Sequence, residues 1–320
     1  MQNRIRYAVN LFLFCILLPY AVAVLTGNAG ETEKRVEKTG IFVTEDMGYG
    51  TERTDEEAYL TGALAASMPQ DVEAEALKAQ AVVLRTNLYE VYIREGDQNE
   101  RSVKAESIGQ QYLTPRQMQT LWGEKYEEQS EKYRRVVEET SGEIMTYGGI
   151  PIKAPYFYVS AGATRNGGEA LQEESCPYLL CVECPMDVLC PEYSVSLTYS
   201  EGVFWNKTDA FFDVKAENET KKRKAEELLL ERDESGYVLK ITDQKSGKSG
   251  SGEAFRKAFD LPSSCFSIEQ DGTKVILTVK GQGHGIGMSQ YGAGVLAGQG
   301  KDYHEILAYF FQGIQIQKNE

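Results

Sequence analysis

Apolar positions along this chain follow different spacings in successive stretches. From Tyr7 to Thr26 no residue is charged and Leu, Val, Ala and Phe dominate, a run about as long as the ~20 residues a helix needs to span a bilayer. Residues 28 to 53 are polar, charged and weakly periodic, the pattern of a juxtamembrane linker with one short strand at Gly40 to Thr44. Thr54 followed by Glu57 forms a capping-box pattern ahead of an apolar run, which predicts a helix from near Asp55 that stops before Pro69. A second helix is predicted from Val72: Ala74, Leu77, Ala81, Leu84, Leu88 and Val91 recur at three- and four-residue spacing, and Gly96 ends it.

Residues 97 to 130 read as a polar loop with a short helix around Pro115 to Glu124, and Glu131 to Glu139 as helical again. From Ile144 the pattern shortens to strand-like runs, Ile144 to Tyr147 and Ile152 to Val159, with Gly148-Gly149 between them as a hairpin turn. Further strands are predicted at Tyr193 to Tyr199, Tyr237 to Thr242 and Lys274 to Val279, and helices at Gly252 to Phe259 and Tyr303 to Phe311. Lys215 to Glu234 is a charge-rich insertion that reads as a solvated helix and turn. Strand runs bracketed by helices predict an α+β fold. Residues 1 to 27 would hold one transmembrane helix and residues 28 to 53 the linker; over 54 to 316 an N-terminal helical pair would pack on a mixed, largely antiparallel β-rich body.

A length of 320 residues gives room for a sizeable core, in one large domain or two intimately packed ones. The net charge of -14 argues against nucleic acid as a partner, which calls for a basic footprint. Arg4 and Arg6 precede the apolar run and no basic residue follows until Lys34, so the positive-inside bias puts the N-terminus in the cytoplasm and the main domain outside. Ala21-Val22-Ala23 leaves a cleavable signal peptide open as a second reading, although the run exceeds the ~7–15 residues of a signal core.

Three segments carry candidate chemistry. The first runs from Gly62 through Ser67-Met68-Pro69 to Glu75, Lys78, Gln80 and Arg85. Small residues there permit close helix approach, and Lys78, Gln80 and Arg85 would meet at one rim, unless the pair is plain amphipathic packing. The second runs from Gly281 to Ala293: glycines at alternate positions let the backbone bend tightly toward a ligand, and His284, Ser289, Gln290 and Tyr291 supply hydrogen-bonding groups. It lacks the Lys-Ser/Thr of a phosphate loop, and a purely structural turn is the competing reading. The third is Cys176, Cys181, Cys184 and Cys190, in which Cys181-x-x-Cys184 has the spacing of a zinc pair that Cys176 and Cys190 could complete. Outside the cytoplasm disulfides are an equal alternative.

The first two segments together resemble the stage II sporulation protein D family, a group that includes the amidase enhancer of wall autolysins. Glu139-Thr140-Ser141-Gly142-Glu143-Ile144, Cys176-Pro177-Tyr178-Leu179 and Phe255-Arg256-Lys257 running to Leu261-Pro262-Ser263 support the likeness. It implies a lytic transglycosylase acting on peptidoglycan strands already stripped of stem peptides, in the space between forespore and mother cell during engulfment. A membrane scaffold and a wall amidase would be its partners. One carboxylic acid would protonate the glycosidic oxygen and then, as a base, help the sugar's 6-hydroxyl close onto the anomeric carbon; the carboxylate pair of ordinary glycoside hydrolysis is not needed.

The family sets that glutamate directly before Met-Pro, where this chain has Ser67. A serine hydroxyl has no usable acidity near neutral pH. Lys78, Gln80, Arg85, His284, Ser289, Gln290 and Tyr291 imply that glycan binding is kept, whereas catalysis would need another carboxylate, Glu75 or Glu57. The family's histidine-bearing zinc stretch matches Tyr158-Val159-Ser160-Ala161-Gly162-Ala163, which has no histidine. Zinc would then rest on the four cysteines alone and be structural. Two functions remain, a transglycosylase with a displaced acid and a silent glycan-binding protein or amidase activator.

Overall fold

Strand β1 (Phe42–Asp46) pairs antiparallel with β2 (Thr51–Asp55) at the head of the first helix in the computed structural model, which describes residues 40–46, 50–171, 176–214 and 223–318. The expected membrane span at residues 7 to 26 lies outside these, and no helix among the described residues is long and apolar enough to cross a bilayer. Asp55, one residue after the predicted cap, accepts the Ala58 N–H at 3.0 Å and starts α1 (Glu56–Ser67). Pro69 cannot donate the next helical hydrogen bond, and α1 stops at Ser67. Helix α2 (Ala74–Glu95) then runs to Gly96 as the periodicity predicts.

Ala76, Leu77, Ala79, Ala81, Val82, Val83, Leu84 and Leu88 are buried around α2. So wide an apolar surface makes α2 the axis on which the first core is built. Strand β3 (Ser102–Lys104) joins β1 in parallel, and short α3 (Ala105–Ile108) and α4 (Pro115–Trp122) lead to α5 (Tyr126–Glu139), which packs on α1 and α2. Strands β4 (Glu143–Tyr147) and β5 (Ile150–Pro151) form a hairpin at the predicted turn, with Ile150–Pro151 as its second strand instead of Ile152 to Val159; Gly148 and Gly149 take φ of 60° and 81°, which a glycine pair adopts without strain. Next come β6 (Tyr156–Phe157) and α6 (Gly167–Leu171).

A lobe with its own core is inserted between β6 and its partner strand. It contains β7 (Ser194–Ser200), α7 (Glu201–Phe212), β8 (Leu228–Arg232), β9 (Val238–Asp243), β10 (Ser249–Ser251), α8 (Gly252–Phe259), β11 (Phe266–Asp271) and β12 (Lys274–Lys280). Its sheets run β10-β9-β8 and β11-β12-β7, all antiparallel. Phe255 stacks on Phe259 at 4.2 Å and on Phe266 at 5.2 Å in a cluster with Phe204, Phe212, Ile241, Val275 and Leu277. Of the helix expected within 215 to 234, the described residues hold only a turn at Ala225–Glu227, followed by strand β8. The Leu228-Leu229-Leu230 run, set among acidic residues, is a strand pattern that the charge count hides.

The chain then returns as β13 (Met288–Ser289), parallel to β6, α9 (Gln290–Gly298), α10 (Tyr303–Phe310) and β14 (Gln315–Lys318), which pairs with β4. Both α9 and α10 pack on α2. The fold is α+β with several small, mostly antiparallel sheets.

Candidate functional site

Ser67 is the last residue of α1 and is half-buried. Its hydroxyl donates to the Leu64 carbonyl at 3.3 Å, and its own carbonyl accepts the Gln290 Nε2 at 2.9 Å. That amide also reaches Gln80 Oε1 at 3.3 Å. Gln80 is fully buried and its Nε2 has no acceptor. Strand β6 brings a phenol to the same place: burial raises the pKa of Tyr156, opposed by a hydrogen bond to Ser67. The first and second candidate segments therefore meet, through Gln80, Gln290 and Ser67.

The expected rim of Lys78, Gln80 and Arg85 is not formed. Residues two apart on a helix face opposite sides, so Gln80 turns to Ser67 while Lys78 and Arg85 turn together to the end of α5. Lys78 Nζ lies 2.8 Å from Glu75 and 3.0 Å from Glu139, and those hydrogen bonds, Glu75 first, raise its pKa. Arg85 is fully buried; it donates to the carbonyls of Thr140 (2.6 Å) and Val137 (3.0 Å) and pairs with Glu56 at 3.1 Å. It closes the C-terminal end of α5, where cations and donors are favoured, and offers nothing to a ligand. Neither acid suggested as a substitute stands at Ser67. Glu75 holds Lys78 and the Tyr303 N–H (3.0 Å), and Glu57 lies about 15 Å away along the axis of α1.

The glycine-rich loop turns its close approach toward β6. A Cβ on Gly283, at φ 115°, would lie 2.6 Å from that of Phe157, and one on Gly287 would collide with the Pro155 carbonyl. His284 Nδ1 accepts the Ile286 N–H at 3.1 Å. Burial lowers its pKa, with Glu253 and the Tyr156 carbonyl acting the other way. Nδ1 is thus taken by the loop's own backbone, and the ring packs edge-on against Phe157 of β6, centroids 5.7 Å apart. Ser289 is buried as the cap of α9, accepting the Gly292 N–H at 3.0 Å. Asp187, fully buried with its pKa raised by burial, accepts the Ser160 N–H at 2.7 Å and ties a third loop to this junction. Gly283 and Gly287 serve the close approach to β6.

What remains open to a ligand is a row of tyrosines. Tyr156 and Tyr158 are half-buried while Phe157 and Val159 between and beyond them are buried, so the strand alternation sets both phenols on one face. Tyr291 is partly exposed nearby, its backbone N–H bonded to the Tyr158 carbonyl at 3.0 Å. Tyr158 donates to Glu192 at 3.4 Å; burial first, then Cys190, pushes its pKa up to about 12. Tyr156, Tyr158 and Glu192 were missed at the level of sequence, although the apolar alternation of Ile152 to Val159 carries the signal for the first two. Aromatic faces flanked by a carboxylate and amides suit a ligand with apolar C–H faces and many hydroxyls.

The cysteines do not converge. Cys181 contacts Ser235 Oγ at 3.3 Å, Cys184 the Val182 carbonyl at 3.5 Å, and Cys190 Glu192 at 3.2 Å, while Cys176 accepts from Tyr178 at 3.6 Å. Glu183, between Cys181 and Cys184, bridges antiparallel to Ala163. Cys181, Cys184, Cys190 and Cys265 are unbridged, and no group of three or more His, Cys, Asp or Glu among the described residues is placed to hold a metal. This donor set does not fit a closed thiolate site, and no chemistry below runs through zinc.

The family described as stage II sporulation protein matches residues 49–147 of the chain. "Stage II sporulation protein D" of Bacillus subtilis (strain 168) is 30% identical over 311 residues, covering 93% of this chain and 84% of that protein. The protein of the same name from Bacillus amyloliquefaciens is 31% identical over 272 residues, or 82% and 74% of the two chains. An "Amidase enhancer" of Bacillus subtilis (strain 168) is 24% identical over 304 residues, 80% of this chain but 40% of the relative.

Proposed function

The chain belongs to the stage II sporulation protein D family, and from that membership we propose that it binds glycan strands of peptidoglycan during sporulation without cutting them. The observation that carries this reading is the serine in the acid's place: Ser67 hydrogen-bonds to Leu64 through its hydroxyl and to Gln290 through its carbonyl, and Glu75 is held elsewhere by Lys78 and Tyr303. A hydroxyl there can hold a sugar oxygen but cannot protonate it at neutral pH. Tyr156, Tyr158 and Tyr291 supply faces for the sugar rings, and Glu192 an acceptor for their hydroxyls. The apolar run before residue 27 supports a membrane-anchored protein with this domain outside the cytoplasm, next to a membrane scaffold, and the amidase enhancer likeness supports an amidase as partner.

Mass spectrometry of stripped glycan strands, incubated with the protein and with Ser67→Glu, tests the reading alongside strand co-sedimentation. Binding by both, with anhydromuramic ends only from Ser67→Glu, is the expected result. Such ends from the unaltered protein would establish the second reading, a transglycosylase with a displaced acid. Failure of both to bind strands would end the glycan reading.

A further inference from the structure

Strand β7 is the outer strand of the β11-β12-β7 sheet, and among the described residues its free edge has no backbone partner. Natural sheets guard such edges with charge, proline, bulges or brevity, and the other outer strands among the described residues are guarded, β6 and β13 by having two residues each. Strand β2 carries Glu52, Arg53 and Asp55; β5 holds Pro151; β3 and β10 have three residues each; β8 has a register shift at Glu231/Arg232; β11 carries Glu269 and Asp271; and β14 ends in Lys318. Strand β7, Ser-Val-Ser-Leu-Thr-Tyr-Ser, is seven residues long with neither charge nor proline. In a chain of net charge -14 that neutrality stands out.

The strand is also close to a palindrome about Leu197: Ser194 mirrors Ser200, Val195 mirrors Tyr199 and Ser196 mirrors Thr198. Its pairing with β12 uses the odd-numbered residues, since Gly281 N bonds Tyr193 O at 2.7 Å and Glu201 N bonds Thr273 O at 2.9 Å. Antiparallel alternation then points the N–H and C=O groups of Ser194, Ser196, Thr198 and Ser200 outward. We propose that β7 is the interface with a second copy of this chain, the two β7 strands pairing antiparallel about a two-fold axis at Leu197.

In that register Ser196 faces Thr198 of the copy and Ser194 faces Ser200, so outward groups meet outward groups and each such pair exchanges two backbone hydrogen bonds. Leu197 meets Leu197, and Val195 meets Tyr199, at the closer-spaced positions and on the face where Leu197 and Tyr199 already pack against the lobe core. A one-residue slip would oppose bonded groups to free ones. The same exercise on β11, with the axis at Glu269, sets Glu269 against Glu269 and Ser267 against Asp271, opposing like charges. An isologous two-fold contact joins a patch to itself, and the mirror symmetry of β7 supplies that patch.

The test is the mass of the full chain in detergent, by light scattering corrected for bound detergent, beside Ser196→Lys. We expect a dimer whose mass halves in Ser196→Lys while its thermal midpoint stays unchanged. A monomeric unaltered protein, or a dimer indifferent to Ser196→Lys, would overturn the proposal; the second result would place association elsewhere, as in the apolar N-terminal run. Should Ser196→Lys fail to fold, mixing Ser196→Cys with Thr198→Cys decides the matter. Oxidation must then give a cross-linked pair in the mixture beyond that of either variant alone, and no excess in the mixture would refute the interface.

Discussion

Arg85 shows at the scale of a single residue how far a plausible ligand donor can be committed elsewhere. Its guanidinium serves Glu56, Val137 and Thr140, and Glu56 in turn accepts the Ile41 N–H at 3.3 Å and the Tyr89 hydroxyl at 3.1 Å. Removing one member of a buried pair strands the other charge, at roughly 3–5 kcal/mol. Arg85→Ala should therefore lower the urea midpoint by about that much free energy, whereas Lys78→Ala, part-exposed and shared between Glu75 and Glu139, should cost about 1 kcal/mol or less. His284 gives a pH signature. Its folded pKa is depressed, so the unfolded chain binds the proton better and stability is complete above the unfolded value, about 6.5, and falls as pH drops below it. A thermal midpoint that declines below that pH, and declines less in His284→Gln, is the expected result.

At the scale of elements, the sequence was readable wherever a period ran long enough. Helix α2 was legible from Ala74 to Val91 because its apolar positions repeat over many turns. Reading Lys78, Gln80 and Arg85 as one rim failed because proximity in sequence was taken for a shared face; the angle between Lys78 and Gln80 would have separated them. Cys181-x-x-Cys184 suggests a metal pair by spacing alone, whereas Cys181 turns to Ser235, Cys184 to the Val182 carbonyl, and Glu183 between them bridges to Ala163. Such pairing comes from residues distant in sequence and leaves no local pattern. The Gly281 to Gly287 loop was legible as a tight bend, while its target, β6, was not. Gly287→Ala should weaken the protein by more than the roughly 0.5–1 kcal/mol of a glycine's flexibility, because a methyl group there meets the Pro155 carbonyl. Denaturant titration with the glycan assay would show both stability and binding reduced.

The whole molecule carries two cores, and the lobe from β7 to β12 has its own aromatic cluster. Phe255→Ala should cost about 3–5 kcal/mol, the usual penalty for emptying a buried aromatic site. If the lobe can open alone, fluorescence of Trp205 in the lobe would report an earlier transition than Trp122 in the first core. Coincident transitions in the variant would show that the cores unfold as one. The dimer proposed through β7 belongs to this scale too, since it would tie the lobes and leave the groove residues outside the contact.

The bond from Gln290 to Ser67 spans 223 positions and that from Ser289 to Tyr158 spans 131. Bringing such distant segments together is entropically costly and slow, and a prefolded lobe shortens the effective loop. The Ser67 site therefore needs the chain to be made past Gln290, and a folded lobe lowers the cost of closing it. In hydrogen exchange on the intact protein, its amides should open at lower free energy than those of α2. A nascent chain would keep this site unmade until Gln290 has been synthesised.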